Sequence, residues 1–240
     1  MRILLVNDDG YNQEGIRLVY KHLQKYGDVT ILAPLTHYSG ASASFTLGRY
    51  QEIKKYEDNI YSFDGTPVDC VLFGVASGLF EPFDLVVSGC NNGCNLSYDV
   101  IYSGTLGACS EAILHDLPSI AFSTDFGHFE IVDKYFDEVF DYILKNKLIS
   151  KDYILNVNFP LKKFDSINGI EIANLFIKKD KYYYVEKDGK YLVDRYEDFS
   201  KSPKGSDAYC ADHGIVSITP LVANSYSEKY YNILKEKVNK

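Results

Sequence analysis

The first 34 residues carry the pattern of a strand, a helix and a second strand. The short apolar run 2–6 is ended by polar turn residues, which predicts a buried strand. Apolar side chains then recur at helical spacing between Gly15 and Tyr26, and the segment 28–34 is again rich in apolar residues. A strand–helix–strand unit of this kind forms a parallel sheet with a right-handed crossover. The opening of the chain therefore predicts an α/β fold.

The same alternation of short apolar runs and amphipathic stretches continues to residue 160. Thr66-Pro67 opens a helix at a position where helices tolerate proline. The predicted helices are 70–79, 105–115 and 132–145, the further strands are 60–63, 83–87, 118–123 and 153–157, and the loops are 37–47 and 90–102. We therefore predict that residues 1–160 form a mostly parallel sheet flanked by helices, a Rossmann-like arrangement of three layers.

The sequence changes character after Pro160. Strands are predicted at 170–176, 182–185, 191–196 and 216–220, and a polar helix at 227–237. Asp188-Gly189 lies between two of these strands and is typical of a hairpin turn. We predict that residues 161–240 form a β-rich extension, with a hairpin and a terminal helix, within a single domain that spans residues 1–240.

Charge and hydropathy exclude several classes of protein. The formal net charge is −8, so no overall positive field would attract a nucleic-acid duplex. The first apolar run is cut off at Asn7, and no other approaches the roughly 18 residues that a membrane span needs. The cysteine count is odd, at 5, which favours reduced thiols. We expect a cytoplasmic protein without a membrane partner.

Polar residues follow three of the predicted strands, where ligands bind in open α/β sheets. Asp8 and Asp9 end the first strand, and two adjacent carboxylates repel each other unless a cation or a proton neutralises them. Oxygen donors suit Mg²⁺, Mn²⁺ or Ca²⁺. The polar loops 36–44 and 88–95 supply further hydroxyl and amide oxygens. The alternative is that Asp8-Asp9 is only a turn with a helix cap.

The segment Tyr102-Ser103-Gly104-Thr105 leads directly into a predicted helix. Backbone N–H groups at a helix start, with two hydroxyls beside them, favour an anion such as phosphate. The alternative is simple capping by Ser103 or Thr105. His37 and His128 lie in loops from which either could approach the site. A metal site that faces an anion site is the arrangement that a phosphoester hydrolase needs.

Other catalytic motifs do not fit the sequence. The segment Gly10–Gly15 has P-loop spacing, but Ile16-Arg17 follows in place of Lys-Ser/Thr. No dinucleotide fingerprint, serine-hydrolase elbow or zinc-hydrolase histidine pair is present. Cys90 and Cys94 have no second pair at zinc-site spacing, so we interpret them as free thiols.

Six motifs in order along the chain resemble the SurE family, the survival-protein E nucleotidases. They are RILLVNDDG at 2–10, SGAS at 39–42, GTPVDC at 65–70, VSGCNNGCN at 87–95, YSGT at 102–105 and VSITPL at 216–221. Cys90 departs from the pattern, because that position is usually aliphatic in the family. The matches cover almost the whole chain.

The resemblance implies a metal-dependent phosphatase that acts on nucleoside 5′- and 3′-monophosphates and on short polyphosphate. By motif, the ligands of one Mg²⁺ or Mn²⁺ per subunit are Asp8, Asp9, Ser39 and Asn91, with Asp8 or Asp9 also orienting or deprotonating water. The implied phosphate pocket and its surroundings comprise Asn95, Ser103, Gly104, Thr105, Gly40, Ser42 and Ser44. The resemblance also implies a homodimer or homotetramer that exchanges C-terminal elements.

Two other functions remain open at this point. A receiver domain of a signalling protein also places an acidic pair after its first strand, but it is about half this length and presents an Asp where this chain has Ser88-Gly89-Cys90-Asn91. A non-catalytic nucleotide or metal sensor would share the binding residues. Only turnover of a nucleotide with added metal separates the sensor from the enzyme.

Overall fold

A mixed β-sheet with helices on both faces forms the centre of the protein. The computed structural model describes residues 1–177, 181–196, 198–223 and 228–238. The strands are β1 Arg2–Val6, β2 Asp28–Pro34, β3 Ile53–Glu57, β4 Ile60–Phe63, β5 Leu85–Asn92, β6 Ser119–Thr124, β7 Ile154–Asn158, β8 Gly169–Ile172, β9 Lys181–Lys187, β10 Lys190–Tyr196 and β11 Ile215–Leu221. The helices are α1 Glu14–Leu23, α2 Pro67–Ala76, α3 Asp99–Tyr102, α4 Gly104–Leu114, α5 Phe129–Lys145, α6 Asp207–Asp212 and α7 Glu228–Val238.

Nine of the strands within these described ranges form one sheet, in the order β3-β4-β2-β1-β5-β6-β7-β11-β8. The inner strands from β4 to β7 all pair in parallel. Antiparallel pairing occurs where β3 meets β4 and where β11 meets β7. The predicted mostly parallel sheet is therefore confirmed.

Alternate side chains of β1 enter two different cores, which shows the three layers directly. Ile3 and Leu5 pack in a core with apolar residues of α1 and α5, such as Phe136. Leu4 and Val6 pack in a second core with residues of α2 and α4. Because successive side chains of a strand point to opposite faces, these two cores lie on the two sides of the sheet.

Several short elements differ from the sequence prediction. Strand β3 was not predicted, because its IKKYE sequence is charged and mostly exposed. Helix α3 lies in the segment that was predicted as a loop, and α6 was not predicted. Asn91 and Asn92 belong to β5 and not to the loop after it. The strand predicted at 170–176 ends at Ile172.

The C-terminal part of the chain contributes both to the main sheet and to a separate hairpin. Strand β11 pairs with β7 and with β8, so the sheet extends past residue 160. Strands β9 and β10 form the predicted antiparallel hairpin, and Asp188 and Gly189 both have positive φ in its turn, as a tight hairpin requires. The terminal helix begins at Glu228 in the structure, and its predicted start at Ser227 lies outside the described residues. The division at residue 160 stays a prediction.

Membrane-spanning helices are not found in the described ranges, where no helix has the length and the apolar character that crossing a bilayer demands.

A capping box at the start of α2 also holds the loop that follows β2. The Thr66 hydroxyl accepts a hydrogen bond from Asp69 N–H at 3.1 Å, and the Asp69 carboxylate accepts one from Thr66 N–H at 2.8 Å. The same carboxylate accepts two more hydrogen bonds from Thr46, at 2.8 Å from the backbone N–H and 2.7 Å from the hydroxyl. Asp69 therefore joins the 37–47 loop to α2.

We expect the substitution Asp69→Asn to lower the free energy of unfolding by about 2 kcal/mol, because hydrogen bonds to a charged group contribute about 1.5–3 kcal/mol. Burial acts to raise the pKa of Asp69, but the hydrogen bonds from Thr46 and Thr66 outweigh it and hold the pKa below its ordinary value. A depressed carboxyl pKa stabilises the fold above the unfolded pKa, and this contribution is lost as the pH falls through the folded pKa.

Urea titrations at pH 7 and between pH 4 and pH 2 check this prediction, because the difference between wild type and Asp69→Asn should shrink as the pH falls below about 4. Asp58→Asn is the matched control: its exposed carboxylate pairs with Lys55 at the surface, so its effect should be much smaller than that of Asp69→Asn. If the difference in unfolding free energy between wild type and Asp69→Asn did not change with pH, the ionised Asp69 carboxylate would not be its cause.

Candidate active site

Polar residues at the carboxyl ends of β1 and β5 and in the loop after β2 line one cavity of about 890 Å³. Within the described part of the chain, the lining includes seven residues that the sequence predicted for the site: Asp8, Asp9, Ser39, Gly40, Asn91, Asn95 and Ser103. It does not include Gly104, Thr105 or Ser42. The structure thus brings most of the predicted residues together, while their individual roles stay predictions.

A turn stabilised by Asn7 holds the two carboxylates at the end of β1. The Asn7 side chain donates to the Gly10 carbonyl at 3.0 Å and accepts from the Gly10 N–H at 3.1 Å. The carbonyl of Asp8 accepts a hydrogen bond from Tyr38 N–H at 2.7 Å, which fixes the 36–44 loop beside the turn. The first and last residues of the NDDG motif, Asn7 and Gly10, therefore shape the turn that presents Asp8 and Asp9.

Asp8 is almost fully buried, with 4% of its surface exposed. Burial raises the pKa of Asp8 to about 6, the hydrogen bond from Thr105 opposes this shift, and the neighbouring Asp9 charge adds to it. The Thr105 hydroxyl donates to Asp8 Oδ1 at 2.7 Å. Ionisation of Asp8 is therefore unfavourable in free energy at this buried position, unless a positive charge lies next to the carboxylate.

Asp9 lies closer to solvent and has two partners. Its Oδ2 accepts a hydrogen bond from Asn92 N–H at 3.2 Å, and its Oδ1 lies 3.3 Å from His37 Nδ1. Burial raises the pKa of Asp9, and the Asn92 hydrogen bond and then His37 oppose the shift. Two adjacent carboxylates with raised pKa values form an environment that a divalent cation would neutralise. Across the described residues, no three His, Cys, Asp or Glu side chains are grouped so that they could hold a metal.

The end of β5 carries the amide groups of the site. The pairing of β5 with β6 is irregular between Ser88 and Asn91, and such irregularities redirect side chains. The Asn91 amide nitrogen donates to the Gly93 carbonyl at 2.8 Å, which leaves the amide oxygen for a ligand. The Asn92 side chain accepts from Gly127 N–H at 2.7 Å and so ties this strand end to the loop after β6.

A buried set of amide hydrogen bonds fixes Asn95. Its N–H donates to Asn158 Oδ1 at 2.8 Å, and its side chain donates to the Ser123 hydroxyl at 2.8 Å. Its carbonyl accepts hydrogen bonds from the side chains of Asn156 and Asn158. Sequence reasoning missed Ser123, Asn156 and Asn158. The sequence does contain a signal that could have indicated these three residues. Polar side chains lie within the predicted strands 118–123 and 153–157 or one residue beyond them, where apolar side chains are expected.

The start of α4 packs directly against Asp8. Ser103 accepts a hydrogen bond from Leu106 N–H at 3.2 Å, so it caps the helix as the simpler alternative predicted. The cap is Ser103 and not Thr105, whose hydroxyl instead donates to Asp8. A Cβ atom on Gly104 would lie only 2.9 Å from Asp8 Cβ, so a glycine lets the helix begin this close to the carboxylate.

The other predicted loop residues have structural partners. The Ser42 hydroxyl donates to the Ile101 carbonyl at 2.7 Å and its N–H to the Tyr102 carbonyl at 2.9 Å, so it joins the 37–47 loop to α3. The Ser44 carbonyl accepts from the Thr66 hydroxyl at 2.7 Å. Of the two candidate histidines, His37 lines the cavity, whereas His128 is buried outside its lining.

The hairpin supplies part of the cavity that sequence reasoning did not predict. Tyr182, Tyr184, Val193 and Arg195 contribute to the lining. Arg195 forms a two-pronged ion pair with Asp99 of α3, including a contact of 2.7 Å between Nη2 and Oδ2. No local pattern could have indicated this contact, because it joins residues separated by 96 positions.

The model of the family Survival protein SurE matches residues 3–181, about three-quarters of the chain. The chain belongs to the SurE family. It is 37% identical to the 5′-nucleotidase SurE of Nitrosomonas eutropha over 229 residues, which cover 92% of each chain. It is 35% identical to the 5′-nucleotidase SurE of Legionella pneumophila, over all of this chain and 98% of the relative.

The structure is also similar to a solved SurE structure. The crystal structure of the SurE protein from Aquifex aeolicus matches 98% of this chain and 99% of its own, with a TM-score of 0.86 and 32% identity. The family resemblance and the fold class predicted from the sequence are both confirmed. Membership of the SurE family leaves the receiver-domain interpretation without support.

Proposed function

We propose that this SurE-family protein hydrolyses phosphomonoesters of nucleosides, at the 5′ and 3′ positions, and short polyphosphate, with one divalent cation per subunit. The observation that carries the proposal is the convergence of Asp8 and Asp9 with Ser39, Asn91 and the start of α4 at one cavity. The names of the relatives, 5′-nucleotidase SurE, support the nucleotide as substrate.

The donor set fits a hard cation. Asp8, Asp9, Ser39 and Asn91 offer carboxylate, hydroxyl and amide oxygens, which suit Mg²⁺ or Mn²⁺. Burial raises the pKa values of both carboxyls, so a bound positive charge would favour their ionised forms. The cation, when bound, would activate a water and stabilise negative charge on the phosphoryl oxygens.

The protein groups around this point would orient the reactants. Thr105 donates a hydrogen bond to one oxygen of Asp8, which leaves the other oxygen for a cation or a water. The two oxygens of Asp9 face Asn92 N–H and His37 Nδ1, and each keeps a further lone pair for such a ligand. Either aspartate could accept a proton from that water. Ser103 and Asn95, which line the cavity, would contact the phosphate, and the start of α4 next to Ser103 would favour its negative charge.

Phosphate release tests the proposal directly. Nucleoside 5′- and 3′-monophosphates, short polyphosphate and ribose 5-phosphate should be compared with Mg²⁺, with Mn²⁺ and with EDTA. We expect release from the nucleotides with metal and none with EDTA. Nucleotide binding without release under every metal condition would identify a sensor and would contradict the proposed activity.

The cysteines of the site should not be required. Cys90 is fully buried, and burial strongly raises the pKa of its thiol, so it is not a thiolate ligand at neutral pH. We expect a Cys90→Ala/Cys94→Ala double variant to retain most of its Mg²⁺- or Mn²⁺-dependent turnover per folded molecule, because the proposed ligands are oxygens. Loss of turnover in a variant with wild-type circular dichroism would show that the ligand set is wrong.

Cys70, Cys90, Cys109 and Cys210 are free thiols, which fits the proposed cytoplasmic location.

We propose that the hairpin and α7 build a homodimer or homotetramer. Tyr183, Val185 and Leu192 lie on one face of the hairpin and are exposed. A two-stranded hairpin is marginal when its apolar face is not covered. The helix α7 adds exposed Tyr230 and Leu234.

Sedimentation velocity at micromolar concentration should therefore show at least a dimer. Replacing Leu192 with Lys should weaken this association, because a charge would enter the buried interface. A wild-type protein that sediments as a monomer at that concentration contradicts the proposal.

A further inference from the structure

One face of the β9–β10 hairpin forms a wall of the cavity that contains Asp8 and Asp9. In the antiparallel register Tyr182 pairs with Arg195, and Tyr184 pairs with Val193. Directly paired residues share a face of a sheet, and residues two apart along a strand share it too. All four side chains therefore lie on the same face, and all four residues line the cavity.

The hairpin is attached to the rim of the cavity by an ion pair. The Arg195 guanidinium binds both carboxylate oxygens of Asp99, and both side chains are largely buried, with 28% and 22% exposed. Asp99 begins α3, and Ser103 at the end of α3 caps α4, whose first turn contacts Asp8. This chain of contacts connects the hairpin to the helix start that contacts Asp8.

The cavity lining combines two kinds of chemistry. Asp8 and Asp9 supply carboxylate oxygens, whereas the hairpin wall presents two phenol rings and the aliphatic Val193. About half of the Tyr182 surface and 69% of the Tyr184 surface are exposed, so their rings are accessible. The volume of about 890 Å³ lies in the range of cavities that hold ligands larger than a phosphate group.

We propose that Tyr182 and Tyr184 bind the base of the nucleotide and so determine that nucleosides are preferred over smaller phosphomonoesters. This inference rests on the proposed function. Aromatic side chains stack on the π-face that every nucleobase has, so they select for a base without selecting which base. The wall should therefore accept purine and pyrimidine nucleotides and discriminate against ribose 5-phosphate, which has the same sugar and phosphate but no base.

The ratio of kcat/KM for adenosine 5′-monophosphate to kcat/KM for ribose 5-phosphate measures this preference. We expect the ratio to fall about ten-fold in Tyr184→Ala and in Tyr182→Ala, in line with the cost of removing a stacking ring. Tyr184→Phe and Tyr182→Phe keep a ring and should restore the ratio. Tyr191→Ala is the matched control, because Tyr191 is an exposed ring of the same hairpin that is not part of the cavity lining within the described residues.

An unchanged ratio in both alanine variants would overturn the proposal, and so would an equal fall in Tyr191→Ala, which would indicate a general effect on the hairpin. Calorimetric titration with adenosine, which has no phosphate, separates this proposal from the proposed function. If no substrate releases phosphate, the proposed function fails, but adenosine should still bind wild type about ten-fold more tightly than Tyr184→Ala. If wild type and Tyr184→Ala bound adenosine with equal affinity, or if neither bound it, the proposed role of the tyrosines would be wrong.

Discussion

Replacing Asp8 with Asn should lower both the affinity for Mn²⁺ and the rate of phosphate release by about a hundred-fold or more. The substitution keeps the volume of the side chain, and the Asn oxygen can still accept the hydrogen bond from Thr105. It removes one of the two negative charges at the end of β1. Because that carboxylate is almost fully buried, solvent would screen its attraction for a cation only weakly.

The same substitution should have the opposite effect on the metal-free protein. Burial raises the pKa of Asp8, so its ionised form destabilises the fold at neutral pH. Without metal, the free energy of unfolding of Asp8→Asn should therefore equal or exceed that of the wild type. A change in activity without loss of stability separates a functional residue from a purely structural one.

Calorimetric Mn²⁺ titration and phosphate release, measured on both proteins, check this prediction. Asp116→Asn is the control, because the exposed Asp116 lies in the turn between α4 and β6, at the amino end of that strand, whereas the site lies at the carboxyl ends of the strands. If Asp8→Asn binds Mn²⁺ and hydrolyses nucleoside monophosphates as the wild type does, Asp8 is only a turn residue and the proposed site is wrong.

Gly15→Ala should lower the free energy of unfolding by about 3 kcal/mol, the upper part of the range for inserting an atom into a packed core. Alanine is intrinsically the better helix former by up to about 1 kcal/mol, so helix propensity alone predicts that the substitution raises the free energy of unfolding. However, a Cβ atom on Gly15 would lie 2.1 Å from the Cys90 carbonyl oxygen and 2.9 Å from the Phe129 ring. The first of these neighbours is backbone of the central strand β5, which cannot move without displacing Asn91.

Urea unfolding should therefore show a lower midpoint for Gly15→Ala, and turnover per folded molecule should also fall. Gly74→Ala is the matched control on α2, since its Cβ would meet the Leu4 Cδ2 atom at 2.9 Å, at the end of a side chain that can shift. We expect the control to cost less than about 1 kcal/mol. A Gly15→Ala midpoint at or above the control would show that α1 can move away from β5 freely.

The parts of the fold that the sequence predicts correctly are those that depend on residues close together in the chain. The first strand, turn and helix follow from the spacing of apolar residues, and the Asp188-Gly189 turn follows from the conformations that these two residues adopt. Strand β3 was missed because its charged side chains have no apolar period. It becomes a strand by pairing with β4, a contact that sequence periodicity does not describe.

The same distinction between local patterns and long-range contacts applies to the residues of the candidate site. The motif residues at the strand ends were identified because short polar segments interrupt apolar runs and resemble a family pattern. The support for Asn95 from Asn156 and Asn158 spans more than 60 positions, and the hairpin contact of Arg195 with Asp99 spans 96. Such contacts depend on which strands become neighbours, and the periodicity of a single segment does not contain that information.

The edge strand β3 has a consequence for how the protein behaves in crowded solution. Among the described strands, none pairs with its outer side, and its side chains Lys54 and Lys55 are exposed. An open strand edge is a template for another chain, and lysines on such an edge oppose stacking of two copies through charge repulsion and the cost of removing their water. Large parallel sheets assemble slowly and leave their edges open during synthesis. We therefore expect the charged IKKYE segment to oppose association of sheet edges, and the same charges hide the strand from sequence-based prediction.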